Sequence, residues 1–184
     1  MIDEYDNCSH AEEIRIGEKM LQEVRAHALE LALGYIGAKS IKYIEPNCGM
    51  DPEGGFDCSG FVVHTLGRAA AAHSLDLALP RHANEQWRNF GEYVAYGQRR
   101  SGDLVYFPSR KKGGLWVAGH VGIVLDESTY IHAPGKDDTE VGVNAMPERP
   151  EQLEDVRPND LHTHTPIGIK RMSLPFGDGR WHVY

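Results

Sequence analysis

Residues 45–72 read EPNCGMDPEGGFDCSGFVVHTLGRAAAA, and the change of character at Cys58 decides how the chain around them is read. Up to Gly55 the stretch is dense in Pro, Gly, Asp and Asn, the composition of a loop. From Ser59 onward, Phe61, Val62, Val63 and Leu66 with the alanines at 69–72 predict a buried helix, which Gly67 weakens. Cys58 therefore stands where a glycine-rich loop meets a helix start. Its sulfur is expected among the unsatisfied N–H groups and the positive dipole end of that helix. Such surroundings lower a thiol pKa and populate the nucleophilic thiolate. The competing reading is a buried, inert cysteine, since free cysteine behaves as a small apolar residue. Asp57, one residue earlier, suits a helix cap.

Working outward, Met20, Val24, Ala28, Leu31 and Tyr35 recur at helical spacing, so a helix is expected over 11–36 with Glu23, Arg25 and Glu30 on its solvated face. Gly34 and Gly37 supply its stop signals. After the Cys58 helix a short one is expected over 84–90. The character then changes to short β-prone runs at 103–107, 120–125, 129–133, 140–145 and 167–172, separated by turn residues. Helices first and strands afterwards indicate an α+β domain with helices packed on an antiparallel sheet. Residues 147–166, with four prolines, read as a long excursion before the last strand. At 184 residues a single domain is expected over 1–184, with 147–184 as a C-terminal extension carrying the final strand.

Charge narrows the partners. Nineteen basic and 27 acidic residues give a formal net of −8, which disfavours a nonspecific grip on nucleic acid or an anionic membrane. Ten histidines are the unusual feature, because protonating all of them would carry the net from −8 to +2. Three cysteines, Cys8, Cys48 and Cys58, make a poor disulfide framework and leave at least one thiol for chemistry. Asp3, Glu4, Asp6, Glu12 and Glu13 precede any Lys or Arg, with no apolar h-region after them, so no signal peptide is read and a cytoplasmic location is expected. No apolar stretch is long enough for a membrane span. Cys8 with His10, and His162 with His164, offer soft ligands, but no Cys-x-x-Cys or His-Glu-x-x-His spacing supports a metal site, and no metal or organic cofactor is expected.

Two histidines have a specific case. His120 opens one β-prone run and His132 lies within the next. If Asp126-Glu127-Ser128 forms a three-residue hairpin loop, Leu125 pairs with Thr129. His132 then opposes Gly122 and lies diagonal to His120 on one sheet face. A two-residue loop would put the imidazoles on opposite faces. On one face they serve as a base and its orienting partner, as two metal ligands, or as ordinary polar residues.

Four motifs in order carry a resemblance: Phe56-Asp57-Cys58-Ser59-Gly60-Phe61-Val62, Ser101-Gly102-Asp103-Leu104-Val105-Tyr106-Phe107, Gly119-His120-Val121-Gly122-Ile123-Val124 and Tyr130-Ile131-His132-Ala133-Pro134. With Leu79-Pro80-Arg81 and Gln86 between the first two, residues 25–146 resemble the NlpC/P60 family of papain-like cysteine peptidases. The resemblance implies a papain-like α+β fold whose nucleophile helix packs on the sheet. It implies Cys58 as nucleophile, His120 as general base and then acid, and His132 as the residue that orients His120. In family members that accept a free N-terminal L-alanine, the residues flanking the nucleophile and an upstream tyrosine hold the amine. Here these are Asp57, Ser59 and Tyr43, with Tyr35 as a rival that fits the helix face better. Arg81 and His82 stand where the family lines its cleft, and either would meet a substrate carboxylate or remain a solvated pair. Trp116 either walls the groove or packs.

The activity implied is hydrolysis of peptidoglycan stem peptides, at the bond from γ-D-glutamate to a diamino acid, through an acyl-thioester. Acyl transfer by the same Cys-His pair and a non-catalytic phage or assembly module are the alternatives. Net acidity makes unaided adsorption to anionic wall polymers unfavourable, so the expected partner is a soluble muropeptide, or else the wall reached through a phage or a non-classical export system.

Overall fold

The computed structural model describes residues 4–43, 48–110, 116–147 and 168–173. Helix α1 (Glu4–Gly34) starts earlier than its apolar pattern suggests and buries Val24 and Ala28 as expected, with Leu21 and Ala32 more deeply buried than the expected Met20, Leu31 and Tyr35, which are half-buried. Arg25 donates to the Met172 carbonyl at 3.2 Å, so it is half-buried rather than solvated. Helix α2 (Cys58–Ala72) packs on α1, and its buried Ala69 and Ala70 share one core cluster with Leu21, Val24, Ala28 and Ala32 of that helix. Helix α3 (Ala83–Asn89) matches the expected short helix.

The main sheet is antiparallel throughout. Its strands are β4 (Glu92–Val94), β5 (Leu104–Arg110), β6 (Trp116–Val124), β7 (Thr129–His132), β9 (Gly142–Ala145) and β10 (Gly168–Arg171), in the order β4-β10-β5-β6-β7-β9. A small second sheet, β2-β3-β1-β8, is built from β1 (Lys39–Ser40), β2 (Met50–Asp51), β3 (Gly55–Phe56) and β8 (Thr139–Glu140), with β1 and β3 parallel. Part of the stretch read as a plain loop is thus a tight β2–β3 hairpin that delivers the chain to Cys58. The run at 140–145 belongs to both sheets. Val141 N–H donates to Ala38 O at 2.8 Å and Val141 O accepts from Gly37 N–H at 3.0 Å, which turns the strand from β8 into β9. Strand β4 has no counterpart in the expected elements. The 147–166 excursion lies almost wholly outside the described residues.

Alternation along β5 divides the core. Leu104 and Tyr106 join Phe56, Phe61, Leu66, Val121 and Ile123 beneath the helices. Val105 and Phe107 join Val124, Tyr130 and Ile169 on the other face. Asp103, just before β5, ties that strand to β10, its buried carboxylate taking Arg171 Nε and Nη2 at 2.8 Å each and Arg100 N–H at 2.8 Å.

The β6–β7 hairpin has the predicted register: Ile123 faces Ile131, Val124 faces Tyr130, and Leu125 N–H donates to Thr129 O at 2.9 Å across the three-residue loop. His120 does not open its strand but lies within β6, because pairing with β5 continues back to Trp116. A bulge between Phe107 and Pro108 pairs His120 with Phe107 and Ala118 with Pro108, leaving Gly119 as the extra residue. A Cβ there would lie 2.0 Å from Ser109 Cβ, so the bulge beside His120 requires glycine.

Candidate active site

Cys58 is the first residue of α2, and Asp57 caps it in an extended conformation (φ −90°, ψ 171°). Asp57 Oδ1 accepts from Gly60 N–H at 2.9 Å and from Ser59 Oγ–H at 3.2 Å. The first of these satisfies an N–H group that the first helical turn cannot bond internally. The hairpin closes on the same turn from outside. Asp57 N–H donates to Gly49 O at 3.1 Å, and a Cβ on Gly60 would stand 1.8 Å from that oxygen.

The sulfur lies where the backbone N–H groups of Ser59 and of Val121, the residue after His120 on β6, both favour its ionised form. Arg81 favours it too, and Asp57 opposes it. Burial is nevertheless the largest influence and pushes the thiol up to about 11. Cys58 keeps partial exposure at the surface, yet protein encloses it closely enough for desolvation to outweigh the helix terminus. The expected low-pKa thiolate is not what this environment favours: burial holds Cys58 as the neutral thiol, with a pKa above rather than below that of a free cysteine.

His120 and His132 meet as the hairpin register requires. His120 Nε2 and His132 Nδ1 are 2.7 Å apart, with ring centroids 4.8 Å apart and planes at 85°. Aromatic rings flank the pair, Phe107 at 5.7 Å from the His120 ring and Tyr130 at 5.0 Å from the His132 ring. His132 is buried and His120 half-buried.

The other singled-out residues sort by what they touch. Arg81 binds Asp57 through both terminal nitrogens: Nη1 donates to Oδ1 at 3.0 Å, and Nη2 to Oδ2. Nη1 also donates to Ser59 Oγ at 3.0 Å, and Nη2 to Cys48 O at 2.5 Å. Asp57, Ser59 and Arg81 thus form one cluster on both sides of Cys58. Tyr43 is exposed, lies 5.1 Å from the Arg81 guanidinium carbon over its ring, and meets the His82 ring edge-on at 5.2 Å. Tyr35, the rival, is engaged elsewhere: its hydroxyl is 2.9 Å from His64 Nε2, and its ring packs on Phe56. Trp116 begins β6, and its side chain lies outside the described residues, as do those of Cys8 and His10 and the segment with His162 and His164. Among the described residues no cluster of three His, Cys, Asp or Glu is arranged to hold a metal ion, and no helix is long and apolar enough to cross a membrane.

Two residues beside Cys58 carry no individual role in the sequence pattern. Gln86, buried in α3, donates from Nε2 to Pro80 O at 2.8 Å and to Ser59 O at 3.3 Å, tying the Leu79-Pro80-Arg81 turn to the first turn of α2. Its spacing from that turn was the only signal. Tyr106 is fully buried near Cys58, and burial raises its phenol well above the usual range.

The model of the NlpC/P60 family matches residues 44–156. The chain is similar to gamma-DL-glutamyl hydrolase of Bacillus subtilis, with 39% identity over 85 residues, 46% of this chain and 18% of that protein. It is similar to murein DD-endopeptidase MepS/murein LD-carboxypeptidase of Escherichia coli, with 33% identity over 99 residues, 54% of this chain and 45% of that one. It spans less than half the length of these relatives. A solved Staphylococcus aureus structure of the NLP/P60 family, described as similar to a lipoprotein, superposes with a TM-score of 0.54 at 26% identity, covering 82% of this chain and 42% of the other.

Proposed function

This chain belongs to the NlpC/P60 family, and from that premise we propose that it is a cysteine endopeptidase that hydrolyses peptidoglycan stem peptides at the bond from γ-D-glutamate to the diamino acid. The observation that carries the reading is the 2.7 Å bond between His120 Nε2 and His132 Nδ1, on the strand whose Val121 N–H reaches the Cys58 thiol. The murein and γ-glutamyl substrates in the names of the two relatives support the substrate class.

In this reading His120 donates its Nε2 proton to His132 Nδ1, so the tautomer places the basic lone pair on Nδ1. Because the resting thiol is held up to about 11, the proton passes to Nδ1 as sulfur attacks the amide carbon, rather than from a standing thiolate. The C–S bond forms and the carbonyl becomes a tetrahedral oxyanion. The Cys58 backbone N–H, at a helix start with no intrahelical acceptor, is a donor for it. Collapse breaks the C–N bond, and the imidazolium returns its proton to the departing amine. Water, deprotonated by His120, then attacks the acyl-thioester, releasing the carboxylic acid and restoring the thiol. Of the residues offered for the stem peptide's amino end, Tyr43 is exposed and open to it, whereas Asp57 and Ser59 are buried and bonded to Arg81 and would shape that side of the site from behind. The formal net charge of −8 favours small soluble muropeptides over adsorption to anionic wall polymers.

Incubation with defined stem tri- and tetrapeptides, followed by mass spectrometry of the products, tests the reading. Cleavage after γ-D-glutamate by the wild type and none by Cys58→Ala is expected. A folded, reduced wild type that cleaves neither peptide would overturn it, and equal cleavage by the variant would remove Cys58 as nucleophile.

A further inference from the structure

We infer that Arg81 is a positioning residue for Cys58: its guanidinium fastens both residues flanking the nucleophile to the preceding hairpin and supplies the positive charge that offsets Asp57 beside the sulfur. The inference deepens the peptidase reading and rests on it for its kinetic half.

The geometry separates this role from substrate binding. A guanidinium has four terminal N–H donors, and here four acceptors take them: Asp57 Oδ1, Asp57 Oδ2, Ser59 Oγ and Cys48 O. Three belong to residues 57 and 59, on either side of the nucleophile. The fourth belongs to the hairpin segment whose next carbonyl, Gly49 O, accepts from Asp57 N–H and lies against Gly60. Such two-pronged binding fixes a carboxylate in angle as well as distance, which a lysine ammonium cannot do. The arginine is itself anchored. Gln86 grips the carbonyl of Pro80, the residue before it, and the same amide holds Ser59 O. Two independent tethers thus run from the 80–81 turn to the first turn of α2. A grip on a substrate carboxylate would require breaking the pair with Asp57, a residue only 1% exposed, and leaving that charge buried without its partner.

Electrostatics point the same way. The groups around the sulfur are Asp57 at the helix cap, Arg81 from the turn before α3, Tyr106 from β5, and Val121 next to His120 on β6. Asp57 pushes the thiol pKa up and Arg81 pulls it down. Without Arg81 the uncompensated carboxylate acts on the thiol alone, and proton transfer to His120 becomes harder.

Full-length Arg81→Met, Arg81→Lys and Asp57→Asn/Arg81→Met test this by two readouts: stem-peptide kinetics, and the rate at pH 9 of iodoacetamide labelling at Cys58, followed on the Cys58 peptide by mass spectrometry. Arg81→Met is expected to lower kcat about 100-fold with KM within about threefold, as a displaced nucleophile does. Its Cys58 labelling should slow by about threefold, because a rise of about one pKa unit cuts the thiolate tenfold while making what remains the better nucleophile. Arg81→Lys keeps the charge but not the fork, so labelling stays near wild type while kcat remains depressed. The double variant removes both charges and restores labelling to the wild-type rate or faster. If Arg81→Met fails to fold, the other two variants carry the test, since neither leaves a lone buried carboxylate. A tenfold rise in KM with unchanged kcat in Arg81→Met or Arg81→Lys would make Arg81 a substrate contact and overturn the inference. So would a double variant that labels as slowly as Arg81→Met. A wild type that cleaves no peptide while labelling still responds to Arg81 sinks the peptidase reading and leaves the positioning role supported.

Discussion

The same substitution seven residues apart on α2 is expected to have opposite effects. A Cβ added at Gly60 would stand 1.8 Å from Gly49 O, 2.7 Å from Gly49 C and 3.0 Å from Met50 Cγ, and the first two are backbone atoms that no rotamer change can move. Restoring an ordinary contact separates the start of α2 from the hairpin by roughly 1.5 Å. Overpacking of this kind costs about 1–3 kcal/mol, which exceeds the roughly 1 kcal/mol that alanine gains over glycine inside a helix. The movement occurs two residues from Cys58, where a displacement near 1 Å lowers turnover about 100-fold. Gly67, in the same helix, has nothing within 4 Å of its added Cβ. Gly67→Ala therefore keeps the helical gain, and its Tm rises by about 2–4 °C at most for a chain of this size. Thermal melts and stem-peptide kcat/KM on the two variants measure both effects. Gly60→Ala with a Tm at or above wild type and unchanged kcat/KM would refute the claim that this glycine sets the approach of the hairpin to the nucleophile.

Three further outcomes are expected. His132→Ala removes the acceptor for His120 Nε2–H, so kcat should fall by roughly 10²–10⁴-fold, the range of a general base's contribution; His132→Asn, whose Oδ1 can stand where Nδ1 stands, should recover part of it. Arg171→Met leaves the fully buried Asp103 carboxylate without its two-pronged partner and should destabilise the fold by about 3–5 kcal/mol in urea titrations. Lys170, 2% exposed and 3.7 Å above the Tyr93 ring, is held down to about 8 from 10.5 by burial. The native state therefore sheds this proton near pH 8 while the unfolded chain keeps it, so Lys170 makes stability rise with pH from about 8, until above about pH 9 the Cys58 thiol, raised to about 11 from 9, offsets the rise because the unfolded thiol ionises first. Above about pH 10 the buried Tyr106 phenol also opposes the rise, because the unfolded chain ionises first. Lys170→Met should flatten the rise between about pH 8 and 9, read as unfolding free energy against pH; an unchanged slope would remove Lys170 as its source.

What could be read in advance of the structure depended on the range of the interaction. The His120–His132 contact was legible because twelve residues and one hairpin separate the two, and the three-residue loop leaves only one register. Asp57 as a cap was legible for the same reason, since its acceptor role reaches three residues along the chain to Gly60 N–H. Arg81 was singled out, but its partner was not, because Asp57 lies 24 residues away and only the packing of α2, α3 and the β2–β3 hairpin brings the two together. The thiol was misjudged in sign. A helix start can be read from sequence, and its N–H groups do favour the thiolate, but the enclosure of the sulfur under β5 and β6 is a property of tertiary packing, and burial is the larger influence. The missed burial also changes the chemistry. In the proposed reaction such a thiol gives its proton to His120 during attack, so that reading makes the alignment of His120 by His132 a condition of turnover rather than a refinement of it.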